Sequence, residues 1–166
     1  MADKEEILKE KVEHNGLVDF SSFYSFAHSW FKEEGYGVNE EKYSEKTGGD
    51  TRELDIEWKA WKDLSDYFKF EMKLRFEVRA MSDVEVEIDG QKKSMNKGKL
   101  SAEITGTLIY DKNSKWDTSP FVRFMRDVYN KYVVPSRVED MKQLLISKVQ
   151  DFKEELKAFL DLVGRR

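Results

Sequence analysis

Chemistry has few places to start in this chain. His14 and His28 are its two imidazoles, and it has no cysteine. Without Cys, thiolate metal sites, iron–sulfur sites, cysteine nucleophiles and disulfide frameworks are all excluded. The two histidines fall in different predicted elements, and neither an HExxH nor an EF-hand spacing occurs. No metal and no cofactor are therefore expected. Asp63 and Asp66 flank a turn close to Trp58 and Trp61. Glycoside hydrolysis needs two carboxyls held a few ångströms apart in a cleft, and spacing along the chain carries no such distance. There is no nucleophile elbow, and Thr47-Gly48-Gly49-Asp50 has the composition of a turn rather than of a phosphate cradle. His28, set in an aromatic helix, reads as a hydrogen-bonded structural residue sooner than as a general base. Of the function classes considered, an enzyme is the least favoured.

Two features carry more functional colour. Lys92, Lys93, Lys97 and Lys99 surround Ser94, Met95, Asn96 and Gly98, and no acidic residue lies between Asp89 and Glu103. Lysines gathered on one loop attract phosphate or a lipid headgroup; the plainer reading is a solvated turn at the tip of a long ribbon. The second feature is the aromatic inventory of 11 Phe, 7 Tyr and 4 Trp. Rings of this number supply large areas for burial, and Trp30, Trp58, Phe70, Phe76, Tyr110 and Phe152 are the candidates to line an apolar cavity. The alternative is that they simply fill a core.

The elements that must position these residues follow from periodicity. Glu5 to His14 places Ile7, Leu8 and Val12 on one side of a short helix or frayed terminus, stopped by Asn15-Gly16. Residues 20–34 form a stronger helix, capped by Asp19 or Ser21 and closed by Gly35, with Phe20, Phe23, Ala27, Trp30 and Phe31 at helical spacing. Its other side carries Tyr24, Phe26 and His28, too aromatic for a purely solvated face. The period then changes to two. Tyr36, Val38 and Tyr43 suggest a weak strand, and Leu54, Ile56, Trp58 and Ala60 alternate with charges through 52–61. A helix over 52–68 competes there, but the unbroken alternation and the turn composition of Asp63-Leu64-Ser65-Asp66 favour the strand. From Phe68 to Ala80 every even residue is apolar and every odd one charged. The same parity resumes at Val84, Val86 and Ile88, with a bend or bulge expected near Ser82-Asp83. Asp89 to Gly98 is read as the reversal, and Leu100 to Tyr110 as the next strand. Gly106 in mid-strand signals a bend or the close approach of another element.

Two helices close the chain. One, within 117–132, opens at Pro120 and bears Phe121, Phe124, Met125, Val128, Tyr129 and Tyr132. After Pro135 a capping box, Ser136 to Glu139, starts the other. Its stripe runs Val138, Met141, Leu145, Val149, Phe152, Leu156, Phe159 and Val163, over a length of about 40 Å. The fold class expected is α+β: one domain over 1–166, with an antiparallel meander of four to five strands packed against helices and a long C-terminal helix across the sheet. The order of elements resembles, over about half the chain, the helix-grip architecture of lipid-transfer and polyketide-cyclase-like proteins. It departs from that pattern in having two helical segments ahead of the sheet and a second helix before the last, and no residue motif carries over.

Charge and composition narrow the rest. Lys plus Arg total 29 and Asp plus Glu 33, a formal net charge of -4, but residues 1–66 hold 17 acidic against 9 basic side chains. That balance does not suggest a general nucleic-acid binder. No stretch approaches the roughly 18 apolar residues of a membrane span. The acidic opening Met1-Ala2-Asp3-Lys4-Glu5-Glu6 is unlike a signal or transit peptide, so a cytoplasmic location is expected. The function expected is a non-enzymatic binding protein holding a small apolar or lipid-like ligand between the sheet and the long C-terminal helix. The alternative is an interaction module acting through an exposed aromatic helix face as a homodimer or other homo-oligomer.

Overall fold

The computed structural model describes residues 3–65, 67–110, 120, 121, 124 and 134–164. Its elements run β1 (Asp3–Val18), α1 (Phe20–Glu33), β2 (Gly37–Gly48), β3 (Thr51–Asp63), β4 (Phe68–Ile88), β5 (Gln91–Tyr110) and α2 (Val134–Gly164). The five strands form one antiparallel sheet in the order β1-β5-β4-β3-β2. The α+β class, the meander and the long C-terminal helix are as expected. The segment proposed within 117–132 falls almost wholly outside the described residues.

The first correction concerns Glu5 to His14, which is strand and not helix. It pairs with β5 along its whole length, from Asp3↔Tyr110 to Val18↔Asn96. A helix of ten residues is marginal by itself, whereas this pairing satisfies the backbone continuously. The misleading cue has a structural cause: a register shift between Glu6 and Leu8 makes Ile7 and Leu8 successive apolar residues and so imitates helical spacing. One helical segment, not two, therefore precedes the meander. Because β1 and β2 lie at opposite edges of the sheet, α1 has to cross it.

Asp19 caps α1, its carboxylate accepting from the Ser22 backbone N–H at 3.3 Å and hydroxyl at 2.8 Å. Gly35, at φ +85°, follows the last turn. The stretch 52–61 is strand, within β3, and its inward residues Leu54, Ile56, Trp58 and Ala60 are buried. At the β3–β4 turn, the Leu64 and Ser65 N–H groups both donate to the Phe68 carbonyl.

The reversal after β4 is much tighter than the sequence suggested. Asp89 and Gly90 alone make it, both at positive φ (+52° and +80°), the signature of a two-residue primed turn. Strand pairing restarts at Ile88↔Gln91, so Lys92 to Lys99 belong to β5 and not to a loop. The parity expected through β4 also breaks. Pairing passes from Arg79↔Lys99 to Ser82↔Lys97, which inserts one residue where Ala80 sits at φ +54°. The bulge buries Met81 and turns Val84 and Val86 to the opposite face of the ribbon.

Over its 31 residues α2 is about 46 Å long. The helix already includes Val134 and Pro135, so Ser136 lies inside its first turn rather than capping it, consistent with the preset φ of proline at a helix start. Glu139 does not reach back; its carboxylate accepts from Gln143 one turn on. Leu145, Val149, Phe152, Leu156 and Leu160 are buried along the helix, with Val138, Met141 and Phe159 packed beside them. Gly106 on β5 lies under both Leu8 of β1 and α2: a Cβ there would lie 2.9 Å from Leu8 Cδ2 and 3.0 Å from Val149 Cγ2. The close approach expected at this glycine is made by both. Lysines flank the apolar seam, with Lys142–Glu5 and Lys153–Glu10 (each 3.0 Å) reaching β1 and Lys148–Glu34 (3.1 Å) reaching α1.

Candidate functional site

The helix-facing side of the sheet extends past the start of α1, and there it is uncovered. Phe20, Ser21, Tyr24 and Ser25 of α1 form one wall of an open groove of about 490 Å³. Tyr43 and Glu45 of β2, Arg52 and Leu54 of β3, Met81 of β4 and Asn96 of β5 form the rest. Pairing explains why these residues share a face. Tyr43 lies opposite Ile56 and Glu45 opposite Leu54, and both partners are buried, inward-facing residues. The bulge at Ala80 brings Met81 to the same side.

Beyond Met81 this face becomes polar. Arg52 donates through Nη2 to Asp83 at 2.6 Å and through Nη1 to Glu45 at 3.4 Å. Asn96 donates to the same Asp83 oxygen at 2.8 Å and accepts from the Phe20 backbone N–H at 3.1 Å. Asn96 thereby ties the first turn of α1 to β5 and holds the groove's wall against its floor. A 2.6 Å ion pair is a strong charge-assisted bond; at 3.4 Å the Glu45 contact is the loose end of the network.

Tyr24 is positioned from behind. Its hydroxyl donates to Glu40, whose same oxygen accepts from Trp58 Nε1 at 2.9 Å. The Tyr24 and Trp58 rings meet edge to face at 4.9 Å. Burial first, then the hydrogen bond to Glu40 and its charge, push the Tyr24 phenol up to about 12.

The aromatic candidates from the sequence are distributed as follows. Trp58, Phe70, Phe76 and Phe152 are each 1% exposed or less, while Trp30 and Tyr110 are half-buried. Trp58 and Phe76 meet at 5.1 Å, and Trp30 and Phe152 at 4.8 Å. Phe70 and Tyr110 sit further along the sheet, paired with Leu108 and Phe68. None of the six lines the groove. Trp30 borders a second, smaller cavity of about 300 Å³ between α1 and α2, with Phe26, Ser29, Glu33, Glu34 and Glu155. The second aromatic side of α1 is also engaged: Phe26 stacks on Phe159 at 4.9 Å and His28 meets Trp58 edge-on at 5.6 Å.

The four lysines do not form one patch. Lys93 pairs across from Val86 and reaches Asp19 at 3.9 Å, and Lys97 and Lys99 lie on the same side of β5 as Lys93. Lys92, opposite Glu87, points to the other side. Asp66, half of the carboxylate pair considered above, is outside the described residues, and no group of three or more metal-ligating side chains occurs among those described. Sequence reasoning missed every lining residue of the groove as a site. The one available signal was the break in alternation at Ala80-Met81, where two apolar residues stand together.

The chain matches no known protein-family model, and no curated protein is significantly similar to it. Among the described residues, no helix is long and apolar enough to cross a membrane.

Proposed function

We propose that this protein is a non-enzymatic binder of a small amphipathic molecule, held in the groove between α1 and the exposed end of the sheet. The observation that carries this is the groove itself: about 490 Å³, lined in about equal measure by apolar groups such as Phe20, Leu54 and Met81 and by polar ones such as Ser21, Ser25, Glu45, Arg52 and Asn96. Small-molecule sites are typically concave and about 300–1,000 Å³, and the mixed lining here suits a ligand with both an apolar and a polar part. The ligand is assigned to this groove and not to the seam under α2, where Phe31 and Phe152 pack at 4.7 Å and Leu145, Val149 and Leu156 are buried.

The test uses the neutral fluorescent probe N-phenyl-1-naphthylamine. Saturable enhancement with one site per chain is expected. Ser25→Phe, which fills the groove from the solvent side, should abolish it, while Ser29→Phe, in the smaller cavity, should leave it intact. Binding unchanged in Ser25→Phe, or lost only in Ser29→Phe, refutes the assignment.

A second reading rests on one observation: Phe121 and Phe124, one helical turn apart, are 70% and 61% exposed. Such a pair suits a protein contact. Native mass spectrometry separates the two readings. A dimer without adduct that dissociates in Phe121→Ser/Phe124→Ser supports docking, and a monomer carrying a small-molecule adduct supports binding.

A further inference from the structure

The groove discriminates by charge. Resting on the binding assignment above, we infer that its ligand is a cationic amphiphile: an amine, primary to quaternary, on an aromatic or branched apolar body, with its charged head at Glu45. Three observations lead there. First, the groove is lined by one carboxylate, Glu45, and one guanidinium, Arg52, and Arg52 is shared with Asp83 outside the lining, so the three groups together leave one negative charge over. Second, Arg52 is committed to Asp83 at 2.6 Å but only loosely to Glu45 at 3.4 Å, so Glu45 is the carboxylate free to take another cation. Third, Tyr43 lies two residues from Glu45 on the same face of β2 and is 52% exposed. A cation beside Glu45 therefore also has an aromatic face to lie against.

The surroundings have the same sign. Arg52 is the one basic residue among the groove's lining, and Lys93 of β5 lies 3.9 Å from Asp19 at the start of α1. The first 66 residues, which supply eight of the ten lining side chains, carry 17 acidic against 9 basic groups. An anionic head would meet the Glu45 carboxylate beside a guanidinium that Asp83 already engages. A cationic head completes the charge count, while Phe20, Tyr24, Leu54 and Met81 take the apolar body.

Three probes of one shape test this: (2-naphthylmethyl)trimethylammonium, 2-naphthylmethanol and 2-naphthoate, titrated calorimetrically at low and high salt. The cation is expected to bind tightest and to weaken with salt. Glu45→Gln should reduce cation affinity about two- to fivefold, as suits a partly exposed ion pair, and leave the neutral alcohol unchanged. Tyr43→Leu should weaken the cation more than the alcohol, because the lost ring face serves the charge as well as the apolar body. Both positions are on the exposed edge strand, and unchanged binding of the alcohol to Glu45→Gln reports an intact groove. If the alcohol binds and is blocked by Ser25→Phe, but the cation binds no better, the charge inference fails and the groove stands. If the naphthoate binds tightest, the inference fails by sign. If no probe saturates, the binding assignment and this inference fall together.

Discussion

Replacing Gly106 by alanine is the sharpest probe of how α2 is seated. In an open strand the substitution would stabilise the protein by about 0.4–1 kcal/mol, because alanine has less unfolded-state freedom to lose. Here the sign should reverse. The new Cβ would stand 2.9 Å from Leu8 Cδ2, 3.0 Å from Val149 Cγ2 and 3.4 Å from Leu145 Cγ. Ordinary carbon contacts lie at about 3.5–4.0 Å, so Leu8 must shift and Val149 must give by a few tenths of an ångström. Leu8 sits on the edge strand β1 and is only partly buried, so it can change rotamer. Val149 is fully buried and β-branched on a helix, where one χ1 well dominates. The helix itself must therefore move. Overpacking of this kind costs about 1–3 kcal/mol, a fall in Tm of about 2–12 °C for a domain of this size. Thermal unfolding followed by far-ultraviolet circular dichroism measures it. The cycle with Val149→Ala should show a favourable coupling of about 1 kcal/mol, since that change removes the colliding methyl. A neutral or stabilising Gly106→Ala, or strict additivity with Val149→Ala, would show that α2 does not bear on this glycine.

Two further outcomes are expected. Reversing Lys153→Glu or Glu10→Lys alone should cost at most about 1 kcal/mol, because the pair is only partly shielded. The double swap should restore Tm, and the single-variant losses should shrink at high salt, as denaturant melts at two ionic strengths can show. The Tyr24 phenol, raised from 10.0 to about 12 by burial and then by Glu40, favours its neutral form in the fold. Its stabilising contribution is fully present below pH 10 and is lost as pH rises through about 12. Tyr24→Phe should delete that late-ionising phenol from an ultraviolet titration. Glu40→Gln should move it down only part of the way, because burial is the larger cause; no change in either variant contradicts the assignment.

Much of the architecture was legible because alternation and helical spacing are local properties. The run from Phe68 to Val78, the Asp19 cap of α1 and the buried stripe of α2 follow from which side chains must leave water, and neighbours in sequence suffice to read them. The hint at Gly106 was legible for the same reason, since a residue without a side chain in mid-strand marks a close approach wherever it comes from. Where reading failed, a distant partner or a single inserted residue was responsible. Glu5 to His14 became strand because β5, about 90 residues away, supplies its hydrogen bonds. The lysines left their loop because two residues at positive φ complete the turn.

The groove lies wholly on the second side of that divide. Phe20, Tyr43, Arg52, Met81 and Asn96 come from five different elements, and no spacing along the chain relates them. Composition excluded thiol chemistry, and patterning assigned the charges to the wet face of a sheet and most of the rings to its dry face. Whether those rings would line a hole or fill a core was decided by the packing of α1 and α2 on the sheet. The rings filled it, and the open space formed instead beside the first turns of α1. There a one-residue bulge at Ala80 turns Met81 and Asp83 inward, and Asp83 joins Arg52 and Asn96, which already face that side, at the polar end of an otherwise apolar face.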